Sequence, residues 1–213
     1  MQTEAFIESL AAGTSPVPRA LPQRHLLLSA IAGGAIALVL VLAWLGLRPD
    51  LSAAVGRPYL WLKAAYTGAL AVGCFMAAER LARPGVSVAR AWMICGLVLI
   101  VFSGMALVQA FGLGPAARLA ALRGGSWQVC SRNILTLGAP MTVIVLLSFR
   151  SFAPTRPVLA GFACGAFSGA VAATVYGLHC PEATVIFVAV WYSLGIVACG
   201  ILGALLARWM LRW

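Results

Sequence analysis

Residues 26–47 read LLLSAIAGGAIALVLVLAWLGL, a run without one charged side chain. The hydrocarbon core of a bilayer is about 30 Å thick, and roughly 20 apolar helical residues cross it. Inside lipid every backbone N–H and C=O must find its partner within the protein, and a helix does this locally. Glu4 and Glu8 lie upstream of the run. WLGLRPD closes it without a small-x-small cleavage site, so it is expected to stay as a helix and not be removed as a signal.

Five more apolar stretches follow, at residues 59–78, 91–111, 127–149, 158–178 and 183–207. The expected fold is an all-α integral membrane protein. A bundle of six transmembrane helices occupies residues 26–213, preceded by a short segment, residues 1–25. Composition agrees, with 62% hydrophobic and 9% charged residues, against about 25% charged in soluble domains. Mean hydropathy is +0.99. A soluble enzyme, a disordered regulator and a fibre are excluded, and the bilayer is the expected surrounding. The net charge of +10 does not point to nucleic acid. Its basic residues fall in twos and threes between apolar runs, not along one face.

Those short basic loops set orientation. With the amino terminus inside, nine arginines lie inside: Arg19, Arg24, Arg80, Arg83, Arg90, Arg150, Arg156, Arg208 and Arg212. Outside lie four, Arg48, Arg57, Arg118 and Arg123, or six with Lys63 and Arg132 at helix ends. Both termini are therefore expected in the cytoplasm. Prolines mark the loops: Pro49 ends the first span, Pro84-Gly85 turns the chain, Pro154 and Pro157 stiffen a hairpin, and Pro181 is expected in the first turn of the sixth span.

Polar residues within the spans are few. Lys63 and Arg132 are expected to snorkel outward, and Gln109 and Asn133 to hydrogen-bond between helices. Pro140, eased by Gly138, is expected to kink the fourth span. No ionisable relay sits at mid-depth, which weighs against a transporter. Gly161, Gly165 and Gly169 share one face of the fifth span, suited to close approach of a helix of this chain or of a second copy in a homodimer.

Of the six cysteines, Cys74, Cys95, Cys164 and Cys199 lie in apolar spans and read as small hydrophobes. Cys130 and Cys180 are expected at the outer face, each at the start of a helix, where the dipole favours a thiolate. Arg132 would act in the same sense. Such thiols bind soft metals or exchange disulfides, and His179 and Glu182 flank Cys180 as possible auxiliary ligands. A structural disulfide explains the two cysteines equally well. There is no CxxC and no zinc spacing.

At the amino terminus Thr3 can cap a short helix. Phe6, Ile7 and Leu10 share one of its faces, ahead of an extended linker over residues 13–22. A helix this short is marginal alone and needs something to cover that face. A lipid interface and a groove on a cytoplasmic protein both serve.

Several motifs together resemble a known family. They are TEAFIESLAA (3–12), LRPDL (47–51), WLK (61–63), RPG (83–85), SWQVC (126–130) followed by Asn133, PTRPVLAG (154–161) and LHCPEATVIFVAVWYSLGI (178–196). The chain resembles the NrsF family of bacterial six-span anti-sigma factors. The resemblance implies a regulator of the inner membrane, not an enzyme. Its cytoplasmic amino terminus would hold an extracytoplasmic-function (ECF) sigma factor away from RNA polymerase. Cys130 and Cys180 would sense metal or oxidative stress outside, with no cofactor required beyond a heavy-metal ion held between them. Phe6, Ile7 and Leu10 are the expected partner contacts. The alternatives are a thiol-dependent membrane redox protein and a small transporter.

Overall fold

The computed structural model describes residues 2–12, 20–152 and 154–211, and every regular element among them is helical. In chain order these are α1 (Gln2–Ala12), α2 (Leu21–Leu40) with a π-helical turn (Val41–Leu45), α3 (Leu51–Val55) and α4 (Pro58–Leu81). Then come α5 (Ala89–Phe111), α6 (Pro115–Arg123), α7 (Trp127–Phe149) and α8 (Pro157–Tyr176). Last is α9 (Val185–Phe187), continued by a second π-helical turn (Val188–Tyr192) into α10 (Ser193–Met210). Six of the resulting rods are long and apolar enough to cross a membrane, among the described residues.

Three boundaries differ from expectation. α2 begins at Leu21, with Pro22 in its opening turn, so the end of the expected linker is helix. Proline fits there because its missing N–H would have had no intrahelical partner. Residues 13–19 lie outside the described residues. α1 already includes Thr3, which therefore sits within the first turn and not at its cap. The last rod starts at Val185, so Pro181 is in a loop and not in a helical turn.

α8 is the centre of the bundle and touches α10, α4, α7 and α2. Two-thirds of its most apolar stretch (67%) is buried, against 17% for α5, whose side chains face outward. Position explains composition: the faces of α8 that meet these neighbours are rich in Gly, Ala, Ser and Cys, which let helices approach closely. A Cβ at Gly165 would stand 2.1 Å from the carbonyl oxygen of Cys199, and one at Gly161 would stand 2.4 Å from that of Gly203. The glycine face of Gly161, Gly165 and Gly169 is thus filled by α10 of the same chain. Of the two partners this face suits, a helix of the same chain fills it, and a second copy in a homodimer has no access to it.

α7 continues through Pro140. Gly138 serves a three-helix contact, since a Cβ there would lie 2.8 Å from Cys199 Sγ and 3.3 Å from Gly169 Cα. The expected Gln109 bond forms, accepting from the Ile186 N–H at 3.1 Å, and Asn133 is buried within the bundle.

The bundle has two ends. One carries the α2–α3, α6–α7 and α8–α9 connections and is called here the cysteine end. The other, the arginine end, carries residues 82–88 and the α7–α8 hairpin. The start of α2 lies there too, because Gln23 donates to Glu79 near the end of α4.

Candidate functional site: a buried thiol pair

At the cysteine end the chain leaves α8 in a tight turn. The Cys180 N–H donates to the Tyr176 carbonyl (3.0 Å), and residues 180–184 then run without helix. This corrects the expected placement. Cys180 closes the carboxyl-terminal turn of α8, where the helix dipole opposes a thiolate. Cys130 lies one turn inside α7, with its N–H spent on the Ser126 carbonyl (3.0 Å).

The loop crosses the α6–α7 junction. The Glu182 carboxylate accepts from the Gly125 N–H (2.7 Å) and from Ser126 Oγ (3.3 Å). Thr184 Oγ1 donates to the Ala121 carbonyl (2.9 Å). Gly124 has φ +52, which favours glycine, and a Cβ there would meet the Glu182 carboxylate at 2.5 Å and push it aside. His179 Nδ1 donates to the Gly46 carbonyl (2.8 Å) and holds the far end of α2.

This fixing brings Cys130 and Cys180 together. Both side chains are fully buried, both are free thiols, and Cys130 is the strongest single influence on the Cys180 thiol. Ser126 Oγ lies 3.9 Å from Cys180 Sγ. The cation beside the pair is Lys63, not Arg132, which points outward. Lys63 does not snorkel: it is buried, its Nζ donates to the Cys180 carbonyl at 3.1 Å, and it stands 5.3 Å from the Tyr192 ring centre. A buried ammonium needs such partners. Tyr192, delivered by the second π-helical turn, is fully buried against Cys180. Among the described residues its hydroxyl has no partner at ordinary hydrogen-bond distance, so it is a donor that a Cys180 thiolate can recruit.

Cys180 is held below the ordinary thiol range. The first cause is the neighbouring Cys130 thiol; Lys63 and Tyr192 add to it against the opposing effect of burial. The Asp50 carboxyl is likewise held low by Arg48 Nε at 2.7 Å. These residues, with Arg57, Lys63, Pro181 and Glu182, line a cavity of about 450 Å³ that opens beside the thiols.

Sequence reasoning does not place Lys63 or Tyr192 at the thiols. Lys63 stands out in the sequence, but as a side chain reaching outward. Tyr192 carried no signal, because its direction depends on a π-helical turn. His179 and Glu182 are placed as tethers of the loop. Among the described residues no group of three His, Cys, Asp or Glu side chains converges as a metal site. Phe6, Ile7 and Leu10 lie exposed on α1. Of the remaining cysteines, Cys74 and Cys95 are neighbours with sulfurs 4.0 Å apart, in space that Gly73 leaves open.

Replacing Lys63 by Met is expected to raise the Cys180 thiol toward its ordinary value. Once the thiol lies above pH 7, each further unit of rise removes about tenfold of the thiolate at that pH. Wild-type alkylation by iodoacetamide then persists as pH falls below the ordinary thiol range, while the variant loses it at higher pH. Superimposable pH–rate profiles would remove Lys63 from this role.

A family model described as negative regulator of sigma F, NrsF, matches residues 10–213. The chain belongs to the NrsF family. It is 48% identical to the anti-sigma-F factor NrsF of Caulobacter vibrioides and 41% identical to a probable anti-sigma-F factor NrsF of Azospira oryzae, each over the full length of both chains. The family is one of regulators and not of enzymes. No solved structure matches the chain. The two NrsF relatives align through the amino-terminal helix as well, so α1 lies inside the shared length although the family model begins at Leu10.

Proposed function

We propose that this NrsF protein is an inner-membrane anti-sigma factor with both termini in the cytoplasm. Its α1 helix holds an ECF sigma factor, and Cys130 with Cys180 receives the releasing signal on the periplasmic side. The observation that carries the reading is the exposed Phe6, Ile7 and Leu10 face, 63%, 59% and 57% accessible, on a helix joined to a membrane bundle. Such a face is stable only when covered, and a groove on a sigma factor covers it. The distribution of arginines supports the orientation.

The signal is metal or oxidant. A soft metal ion displaces the two thiol protons and binds both sulfurs. A peroxide takes two electrons from the pair, leaving a disulfide while the peroxide becomes water. His179 and Glu182 can join a metal only by leaving Gly46 and Gly125. Either event disturbs the loop that His179 ties to the end of α2, and α2 leads back toward α1. The trigger works because it favours one of two loop arrangements over the other.

Cells carrying a sigma-dependent reporter test this. Cys130→Ser and Cys180→Ser are expected to keep repression in unstressed cells and to lose induction by cadmium or peroxide, whereas Cys164→Ala keeps both. Unaltered induction in the two serine variants would remove these thiols from the sensor.

A further inference from the structure

The arginine end carries a cavity that the sensing scheme does not use. It encloses about 620 Å³ between the α4–α5 connection and the start of α8. That is within the size range of ligand sites, about 300–1,000 Å³. Arg80, Arg83 and Arg156 line it, and no acidic side chain does, among the described residues. Arg83 is ion-paired to Glu79, which offsets one charge. Arg80 Nη1 donates to the Ser87 carbonyl (2.9 Å), which fixes its guanidinium across the loop. Two long helices also begin at this cavity: Val88 and Ala89 open α5, and Arg156 caps α8. Each contributes roughly half a positive charge from its dipole. The cavity therefore suits a phosphate.

A second feature narrows the ligand. Arg156 also heads an apolar groove of about 520 Å³ that runs along the outside of the bundle over Val158, Leu159, Phe162 and Ala204. Trp92 of α5 leans on Phe162 at 6.0 Å and braces this wall. A cationic cavity and an apolar groove that share one arginine, at the end of a membrane bundle, match an amphiphile with an anionic head and a hydrocarbon tail.

We propose that this site binds an anionic phospholipid. The phosphodiester lies among Arg80, Arg83 and Arg156, and one acyl chain lies along Val158, Phe162 and Ala204. The site is separate from the thiol pair and does not depend on the direction of threading, since it needs only a bilayer leaflet with anionic lipid.

Native mass spectrometry of the full-length protein in mild detergent tests this, with phosphatidylglycerol, phosphatidylcholine and inorganic phosphate as probes. Wild type is expected to retain phosphatidylglycerol at least tenfold better than phosphatidylcholine. The Arg80→Gln/Arg156→Gln variant is expected to lose that preference. Ala204→Trp, which fills the groove and leaves the arginines in place, is expected to lose retention as well. Equal retention of the two lipids by wild type, or an unchanged preference in either variant, overturns the proposal. Displacement of phosphatidylglycerol by millimolar phosphate makes this a small-anion site and overturns the lipid assignment. Loss of a co-purifying protein from the arginine variant with lipid retention intact makes it a protein dock and overturns it too.

Discussion

A variant carrying Phe6→Ala, Ile7→Ala and Leu10→Ala is expected to lose its sigma factor. Alanine keeps α1 helical, because it has the highest helix propensity, and so removes the apolar face without unfolding the segment. Burying each of these side chains is worth about 1.5–3 kcal/mol. Three of them at the low end amount to roughly 4.5 kcal/mol, on the order of a thousandfold in affinity. The face is open for this role because the bundle does not use it: all three side chains are exposed. Affinity purification from membranes in mild detergent reads the outcome. The sigma factor should accompany wild type and be absent from the triple variant, and the reporter should be constitutively on. A sigma factor that still co-purifies in equal amount would move the binding surface elsewhere.

The second large effect is structural. Gly165→Ala is expected to break the contact between α8 and α10. The added methyl carbon would stand 2.1 Å from the Cys199 carbonyl oxygen, 2.9 Å from its carbon and 3.1 Å from Gly200 Cα. All three are backbone atoms, so no side chain can rotate away and the helices must separate. Overpacking in a well-filled core costs about 1–3 kcal/mol where side chains can adjust, and a backbone clash at the centre of the bundle exceeds that range. Gly104→Ala is the control. It adds the same methyl group to a membrane helix, α5, where nothing lies within 4 Å. Thermal unfolding in detergent is expected to show a large loss for Gly165→Ala and little or none for Gly104→Ala. Equal stability of the two would mean that α8 and α10 do not approach as closely as described.

Both effects bear on how much could be foreseen. The length and apolar character of residues 26–47 and their five counterparts were enough to specify six helices long and apolar enough to cross a membrane, where the backbone must satisfy its hydrogen bonds locally. α7 was placed at its observed ends, since Ser126 and the arginine at 150 bracket an apolar run. Cys130 and Cys180 stand out in the sequence as the cysteines at the ends of spans and not within them, and the fold buries both beside Lys63 and Tyr192. That Phe6, Ile7 and Leu10 share one face of a helix follows from their spacing alone.

What chain order and composition could not give was the facing of each helix. A helix that is apolar on every side has no polar stripe to say which way it turns. The neighbours of α8 therefore became known only once the bundle was assembled, and with them the internal use of Gly161, Gly165 and Gly169. Lys63 illustrates the same point from the opposite side. A lysine near a helix end is expected to reach for water, yet here the loop after α8 lays a carbonyl at 3.1 Å and an aromatic face beside its ammonium, so it turns inward. Tyr192 reaches the thiols only through a π-helical turn, which shifts the register that a regular helix would have kept. Membrane insertion is a property of segments and can be summed along the chain. The chemistry around Cys180 belongs to contacts between residues as far apart as Lys63 and Tyr192, and assembly of the bundle creates them.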